Sequence, residues 1–382
     1  MSSFPIVPRD QMAKISRAAP FWMSVGLLPL VWIGAVFGGW TVVLVPVATW
    51  YLFSIIDAIV GTYEANADLE TTDDDMHWYT LITLVWAPLQ FVTLFGVIWY
   101  VQSTGHLGLL EKLVLFFGTG AMCGTIGIVY AHELAHQKPK LERWLGDILL
   151  AMVLYSHFRS EHLLVHHRYV GTPRDAVTAR YNENFHLFFP RVFWSQPISA
   201  FKAEQAMLAR KGLEWHHPSN PFWRYAVLQL TMILIAILIG GWGGLGLFVF
   251  NAYIAIVQLE VVNYVEHYGL TRKHLGDGKY EHVLPRHSWN SSHKGSNWLL
   301  INLQRHSDHH YKPNRRFPLL QTYDEDEAPQ LPYGYPIMTM MAMIPPLWRR
   351  TMNPRVRAWR KKYYPEIEDW TPYKKASNPM PR

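Results

Sequence analysis

The fold class predicted by this 382-residue sequence is an all-α integral membrane protein carrying a helical, histidine-rich two-metal site. Three observations lead there. Half of the residues are apolar and come in long uncharged blocks, the basic residues gather in a few segments, and histidines recur at helical spacing.

Residues 20–40, 80–101 and 113–131 contain no Asp, Glu, Lys or Arg. At about 1.5 Å per helical residue, each approaches or exceeds the roughly 30 Å of bilayer hydrocarbon. Residues 41–60 make another such block, with Asp57 alone near one end, and 225–264 is long enough for two helices broken around Gly240-Gly241-Trp242-Gly243-Gly244. Six transmembrane helices are therefore expected, the first pair turning at Gly38-Gly39-Trp40. The shorter piece DILLAMVLYSHF, 147–158, cannot cross and reads as buried or re-entrant. The chain divides into an N-terminal arm (1–19), four spans (20–131), a polar segment (132–224), two further spans (225–264), a second polar segment (265–375) and a tail (376–382).

Of the 35 Lys and Arg residues, three precede the first span, twelve lie in 132–225 and nineteen follow residue 264; only Lys112 lies elsewhere. Basic loops stay on the cytoplasmic side, which puts both termini and both polar segments there. The acidic loop 61–79 (Glu64, Asp68, Glu70, Asp73, Asp74, Asp75) falls on the same side by parity. The net charge of +6 then reflects topology beside anionic membrane lipid, and no motif argues for nucleic acid. Cys123 is the single cysteine, so there is neither a disulfide framework nor a CxxC pair for an iron–sulfur centre. Any such electron carrier would be another chain. The first apolar block, too long and preceded by a polar arm, does not resemble a cleavable signal.

The chemistry rests on histidines. LQRHSDHH sets His306, His309 and His310 at i, i+3 and i+4, on one helical face from which all three could reach one point. HELAH adds His132 and His136, EHLLVHH adds His162, His166 and His167, and NYVEHYGL adds His267. HELAH directly follows the fourth span and His267 the sixth, so all four groups can meet at one membrane face. Nine neutral imidazoles are too many for one ion and suit two ions of four or five ligands each. HExxH is also the zinc metalloprotease signature, with Glu133 as base, but that reading leaves seven histidines unused. A metal transporter or store would need an ion path, and the only acids in the spans are Asp57 and Glu260.

Glu133, Glu161, Asp175, Glu266 and Asp308 stand beside these boxes as natural partners for the free ring nitrogens, with Glu281 on a loop that sequence does not place. His77, His106, His186, His216 and His217 read as surface residues; His157, His274, His282, His287 and His293 lie near the boxes and suit capping or supporting roles. Trp50, near the middle of the second span and on roughly the face of Ser54 and Asp57, is either a packing residue or a plug that limits how deep a ligand can reach.

HELAHQK, EHLLVHHRYVGTPRD, NYVEHYGL, YEHVLPRHSWNSSH and LQRHSDHH, in this order and spacing over roughly residues 20–350, resemble the boxes of the AlkB-type alkane 1-monooxygenases. The resemblance implies a bacterial inner-membrane enzyme with two iron ions that uses O2 to hydroxylate the terminal carbon of n-alkanes drawn from the bilayer. It also implies electrons from NAD(P)H through rubredoxin reductase and rubredoxin, and iron ligands at His132, His136, His162, His166, His167, His267, His306, His309 and His310. A membrane fatty acyl desaturase or lipid hydroxylase, which shares only a looser three-box pattern, is the alternative. Val165 in place of a usual glycine, and Ala176-Val177 in place of a usual proline-alanine, depart from the pattern without removing a ligand.

Overall fold

The computed structural model describes residues 9–72 and 74–371, so the expected tail at 376–382 and the first eight residues of the expected arm lie outside the described residues. In chain order the helices are α1 (Asp10–Phe37), α2 (Gly39–Val60), α3 (His77–Thr104), α4 (Leu109–His136), α5 (Lys140–Ala151), α6 (158–169), α7 (Phe185–Ala209), α8 (Pro221–His267), α9 (Lys294–Leu299), α10 (His306–Tyr311), α11 (Tyr335–Ala342) and α12 (Pro345–Tyr363). Among the described residues the only sheet is a hairpin of β1 (His274–Gly276) and β2 (Lys279–Tyr280).

Among the described residues five helices, α1 to α4 and α8, are long and apolar enough to cross a membrane. The expected fifth and sixth spans are the two pieces of the 47-residue α8, which bends at Gly241 (φ 60°, ψ −157°). That left-handed backbone costs glycine nothing sterically. Helix also begins earlier than the apolar block suggested: 9–18, read as a polar arm, is helical and runs on through a 3-10 stretch at Ala19–Gly26.

Close packing holds α4 at the centre. A Cβ at Gly120 would sit 2.7 Å from the Asn251 carbonyl, and one at Gly124 would sit 2.6 Å from that of Ala255. Two glycines four residues apart thus let the backbone of α8 lie directly on α4, the small-residue contact of membrane helices. Gly118 does the same for α2, where Pro46 lies 2.7 Å from the position of a Cβ. The segment at 147–158 is buried as expected, with Leu149, Leu150, Met152, Val153 and Tyr155 all in the core. Asn184 and Asn220 cap α7 and α8 by accepting from Leu187 N and Phe222 N, and Pro221 opens α8 where no backbone donor is needed.

Three helices widen locally into π-helix: α2 at Val47–Leu52, α4 at Cys123–Ile128 and α6 at His162–His166. The end of α2 is fastened to α9, since buried Asp57 accepts from Ser296 N at 2.7 Å. Asp57 lies tight against Gly334, where a Cβ would collide with its carboxylate, and close to Gly295, where a Cβ would meet Ile56 Cγ2 at 2.6 Å and Asp57 Oδ1 at 3.0 Å.

Candidate metal centre

Four helices deliver the nine histidines to one end of the bundle. His132 and His136 occupy the last turn of α4, His267 ends α8, and α6 and α10 each bring three. They form two groups, one of His132, His136, His162, His167 and His309, the other of His166, His267, His306 and His310. Within each group one nitrogen per ring lies within 4.8 Å of all the others, so each group could hold a metal ion.

The separations fit a shared ion. Nε2 of His132 lies 2.9 Å from that of His309, and His162 lies 3.0 Å from His136 and 2.9 Å from His167. In the second group His306 stands 3.1 Å from His267 and 3.0 Å from His310. Two nitrogens each about 2.1 Å from one ion and at right angles are about 3.0 Å apart, and opposite ones about 4.2 Å. Imidazole donors of this kind suit iron, zinc, copper or nickel. Burial, reinforced by the surrounding imidazoles, holds His162, His167, His306, His309 and His310 well below the usual histidine range. They are neutral at pH 7 and present lone pairs without first losing a proton.

The division between groups differs from the spacing argument in one respect. His306, His309 and His310 do not converge on one point: His306 and His310, one turn apart, face the second group, and His309 faces the first. In α6, α-helical spacing would pair His162 with His166. The π turn, with its i→i+5 bonding, instead sets His162 beside His167 and turns His166 to the other group. Val165, the departure from the family pattern, lies buried within this turn.

The carboxylates divide as well. Asp175 Oδ2 accepts from His166 Nδ1 at 2.9 Å and is itself held by Thr178 Oγ1, while Oδ1 accepts from Val177 N. Glu266 Oε2 lies 3.3 Å from His306 Nε2, on the side facing the group rather than at a free ring nitrogen. Tyr335 donates to its Oε1 at 2.9 Å. Burial and the Glu266 carboxylate hold the Tyr335 phenol well above its usual range, so it remains a donor.

Glu133 and Asp308 depart from expectation. Glu133 accepts from Gln137 and Phe317 N, and Asp308 binds Arg315, Tyr323 and Gln321 N. Neighbouring residues on a helix project about 100° apart, so adjacency to a ligand aims these carboxylates away from it. Glu281 also lies away from the nine: it binds His287, Arg286, Tyr364 and Lys273 N, and those contacts hold its carboxyl down at about 2 against the burial that would raise it. Glu161 is buried with both oxygens unpartnered among the described residues, and burial beside Asp175 and Glu260 holds its carboxyl well above the usual range.

Beside the histidines runs an apolar cavity walled by Gly124, Ile128, Val129, Phe158, Leu259, Val262 and Leu303, with His132, His162, His306 and Glu266 at its metal-facing end. A second, separate small cavity, also lined by Val262, lies between α2, α4, α8 and α11 against Thr49, Trp50, Thr125 and Gln258. Trp50 belongs to the π stretch of α2 and packs on Phe117 with ring centroids 5.8 Å apart. Nothing in the sequence marked Tyr335 or the glycine-lined wall; the only local signal is Gly334-Tyr335-Pro336 at the start of α11.

A membrane bundle ending in nine convergent imidazoles narrows the comparison with known proteins. The sequence model of the fatty acid desaturase family matches residues 109–341. Alkane 1-monooxygenase 2 of Pseudomonas aeruginosa is 38% identical over 353 residues, covering 91% of this chain and 90% of that protein. The alkane 1-monooxygenase of Acinetobacter baylyi is 33% identical over 90% of this chain and 86% of its own length. The chain belongs to the alkane 1-monooxygenase family. More distantly, it is 27% identical to the xylene/toluene monooxygenase hydroxylase component XylM of Pseudomonas putida, over 87% of each chain. All four histidine-bearing helices lie within the segment matched by the desaturase family, which extends the alkane 1-monooxygenase kinship to that wider group.

Proposed function

We propose that this chain is an alkane 1-monooxygenase of the bacterial inner membrane, hydroxylating n-alkanes at the terminal carbon to primary alcohols with O2. In this reading two iron ions are held by His132, His136, His162, His167 and His309 and by His166, His267, His306 and His310. The observation that carries it is the junction of an apolar helical bundle, largely apolar cavities within it, and two adjoining imidazole groups that line one of them beside Glu266. In the same reading the two pieces of α8 are separate spans, giving six, and the basic segments support a cytoplasmic side for the histidine end and both termini.

When bound by these nine histidines, a metal pair would supply the redox chemistry for activating O2 and hydroxylating a C–H bond. What the chain contributes is selection and aim. An alkane partitions into lipid and offers no polar handle, so the cavity binds it by burial alone, at about 0.8 kcal/mol per methylene. Phe158, Val129, Leu259 and Leu303 exclude water around its terminus, and the cavity presents that terminus to His132, His162 and His306. Tyr335 pins one oxygen of Glu266, leaving the other on the metal side.

Electrons would come from rubredoxin, itself reduced by an NAD(P)H-dependent rubredoxin reductase. A basic depression at the surface supports this partner: it is lined by Arg168, Arg174, Arg272 and Lys279 and includes His167 of one group and His310 of the other. An acidic carrier docked there would meet both groups through a single imidazole each. The deciding experiment is metal analysis of the purified chain with product detection from C6 to C16 n-alkanes, rubredoxin and reductase supplied. Two irons per chain and 1-alkanols are expected. A double bond introduced into an acyl chain, with no alkanol formed, would instead favour the desaturase reading that the matched family supports.

A further inference from the structure

On the same end of the bundle, with none of the nine histidines in its wall, a cleft of about 560 Å³ opens between the start of α1, the 61–72 loop, the start of α3 and α9. Its wall is amphipathic: Lys14, Arg17, Lys294 and Arg305 are interleaved with Phe21, Tyr63, Tyr79, Trp298 and Leu319. The charges do not cancel. Lys14 is matched by Asp74 and Asp75. With Asp68, which accepts from Glu70 N, the carboxylates number three against four cations, a surplus of one positive charge.

Arg305 is the least expected of the four. It is 6% exposed, yet its guanidinium is held by the carbonyls of Tyr63, Ala65 and Leu320 and stands over the Tyr63 ring at 5.9 Å, with no carboxylate bonded to it and no partner for its Nε among the described residues. Asp308, which acts on it electrostatically, is committed to Arg315. Burying a cation with no anion is costly unless an anion completes the site. The Lys294 ammonium stands over the rings of Tyr63 and Trp298 at 5.5 and 5.3 Å, and Trp22 donates to Trp78 O beside the cleft. Tryptophan, tyrosine and lysine at one level mark the headgroup zone of a bilayer.

We propose that this cleft binds the phosphate of an anionic phospholipid headgroup, with Arg17, Lys294 and Arg305 around the phosphate and Phe21, Trp298 and Leu319 against the first acyl carbons. The proposal rests on the placement of the bundle in a membrane and is independent of the reaction catalysed. Two basic side chains near an anionic lipid contribute about 1 kcal/mol each, so losing both weakens binding about 30-fold.

The test uses the full chain in phosphatidylcholine nanodiscs, with and without phosphatidylglycerol, reading retained lipid by native mass spectrometry and the unfolding midpoint. Phosphatidylglycerol should be retained and should raise the midpoint. The Arg17→Gln/Lys294→Gln double variant should lose both effects, whereas Lys112→Gln, outside the cleft, should keep them. Arg17 is exposed and Lys294 half-buried, so the double variant is expected to fold; equal midpoints in pure phosphatidylcholine verify this. Inorganic phosphate added to phosphatidylcholine discs separates the sources: protection by phosphate alone, lost in the double variant, would keep the anion site and reassign it to a soluble ligand. Equal phosphatidylglycerol retention by the wild-type chain and the double variant would overturn the proposal. Alkane hydroxylation, assayed in the same phosphatidylcholine discs, reports on the reaction separately.

Discussion

Asp175 illustrates how much a single carboxylate can do for a metal centre. By accepting from His166 Nδ1 it fixes the tautomer, aims Nε2 at the second group and makes the ring a better donor. Asp175→Asn should therefore lower metal affinity by about 10-fold to 100-fold while leaving the fold intact, measurable by chelator competition and far-UV circular dichroism. Unchanged affinity would mean that the ring is held by packing alone. The division of LQRHSDHH between the two groups gives a sharper expectation. His309→Ala and His310→Ala should each lower hydroxylation by more than about 100-fold, but they act on different ions, so each variant should retain about one iron per chain rather than none. Metal analysis checks this, with exposed His216→Ala retaining both irons and full turnover. Loss of both irons in either variant would show that the two groups bind metal as one unit.

At the scale of elements, the π turns are what sequence periodicity does not display. The histidines in EHLLVHH are visible to anyone who reads them, yet which one serves which group depends on a single widened turn, and no residue type marks that turn. The same applies to α4 and α2, where π stretches sit at the cavity wall and bring Thr49, Trp50, Gly124 and Thr125 toward it. By contrast, uncharged blocks and glycine clusters were legible because burial in lipid and tight turns each demand particular residue types. If Trp50 closes the far end of the substrate track, Trp50→Ser should open room for several methylenes and move the preferred alkane toward longer chains at unchanged iron content. A C6 to C16 product series decides it, and an unchanged length profile would leave Trp50 as a packing residue on Phe117. The α4–α8 contact offers a test of the scaffold. Gly124→Ala places a methyl 2.6 Å from the Ala255 carbonyl and should cost about 1–3 kcal/mol, seen as a lower unfolding midpoint in detergent.

For the whole molecule, charge gathers at one end and apolar surface along the sides. Histidines, basic depression and loops share one end, while the sides of α2 and α8 expose Ile55, Ile59, Leu234 and Leu238. This arrangement makes turnover with a separate acidic carrier sensitive to ionic strength: rising salt should slow it, and Lys279→Glu should raise the KM for rubredoxin while leaving kcat at saturating carrier unchanged. Steady-state kinetics over a salt series would check both, and salt-independent rates would argue against electrostatic docking. The fastening of α2 to α9 has a consequence for how such chains can diverge. Asp57, the adjacent pair Gly295-Ser296, and Gly334 come from three distant parts of the sequence but interlock so closely that a side chain at either glycine would crowd the carboxylate or its neighbour Ile56. Recombination between relatives that exchanges the second helix alone would split this quartet, so chimeras should be viable when all four positions come from one parent and fail when they are mixed, making the four a single unit of inheritance.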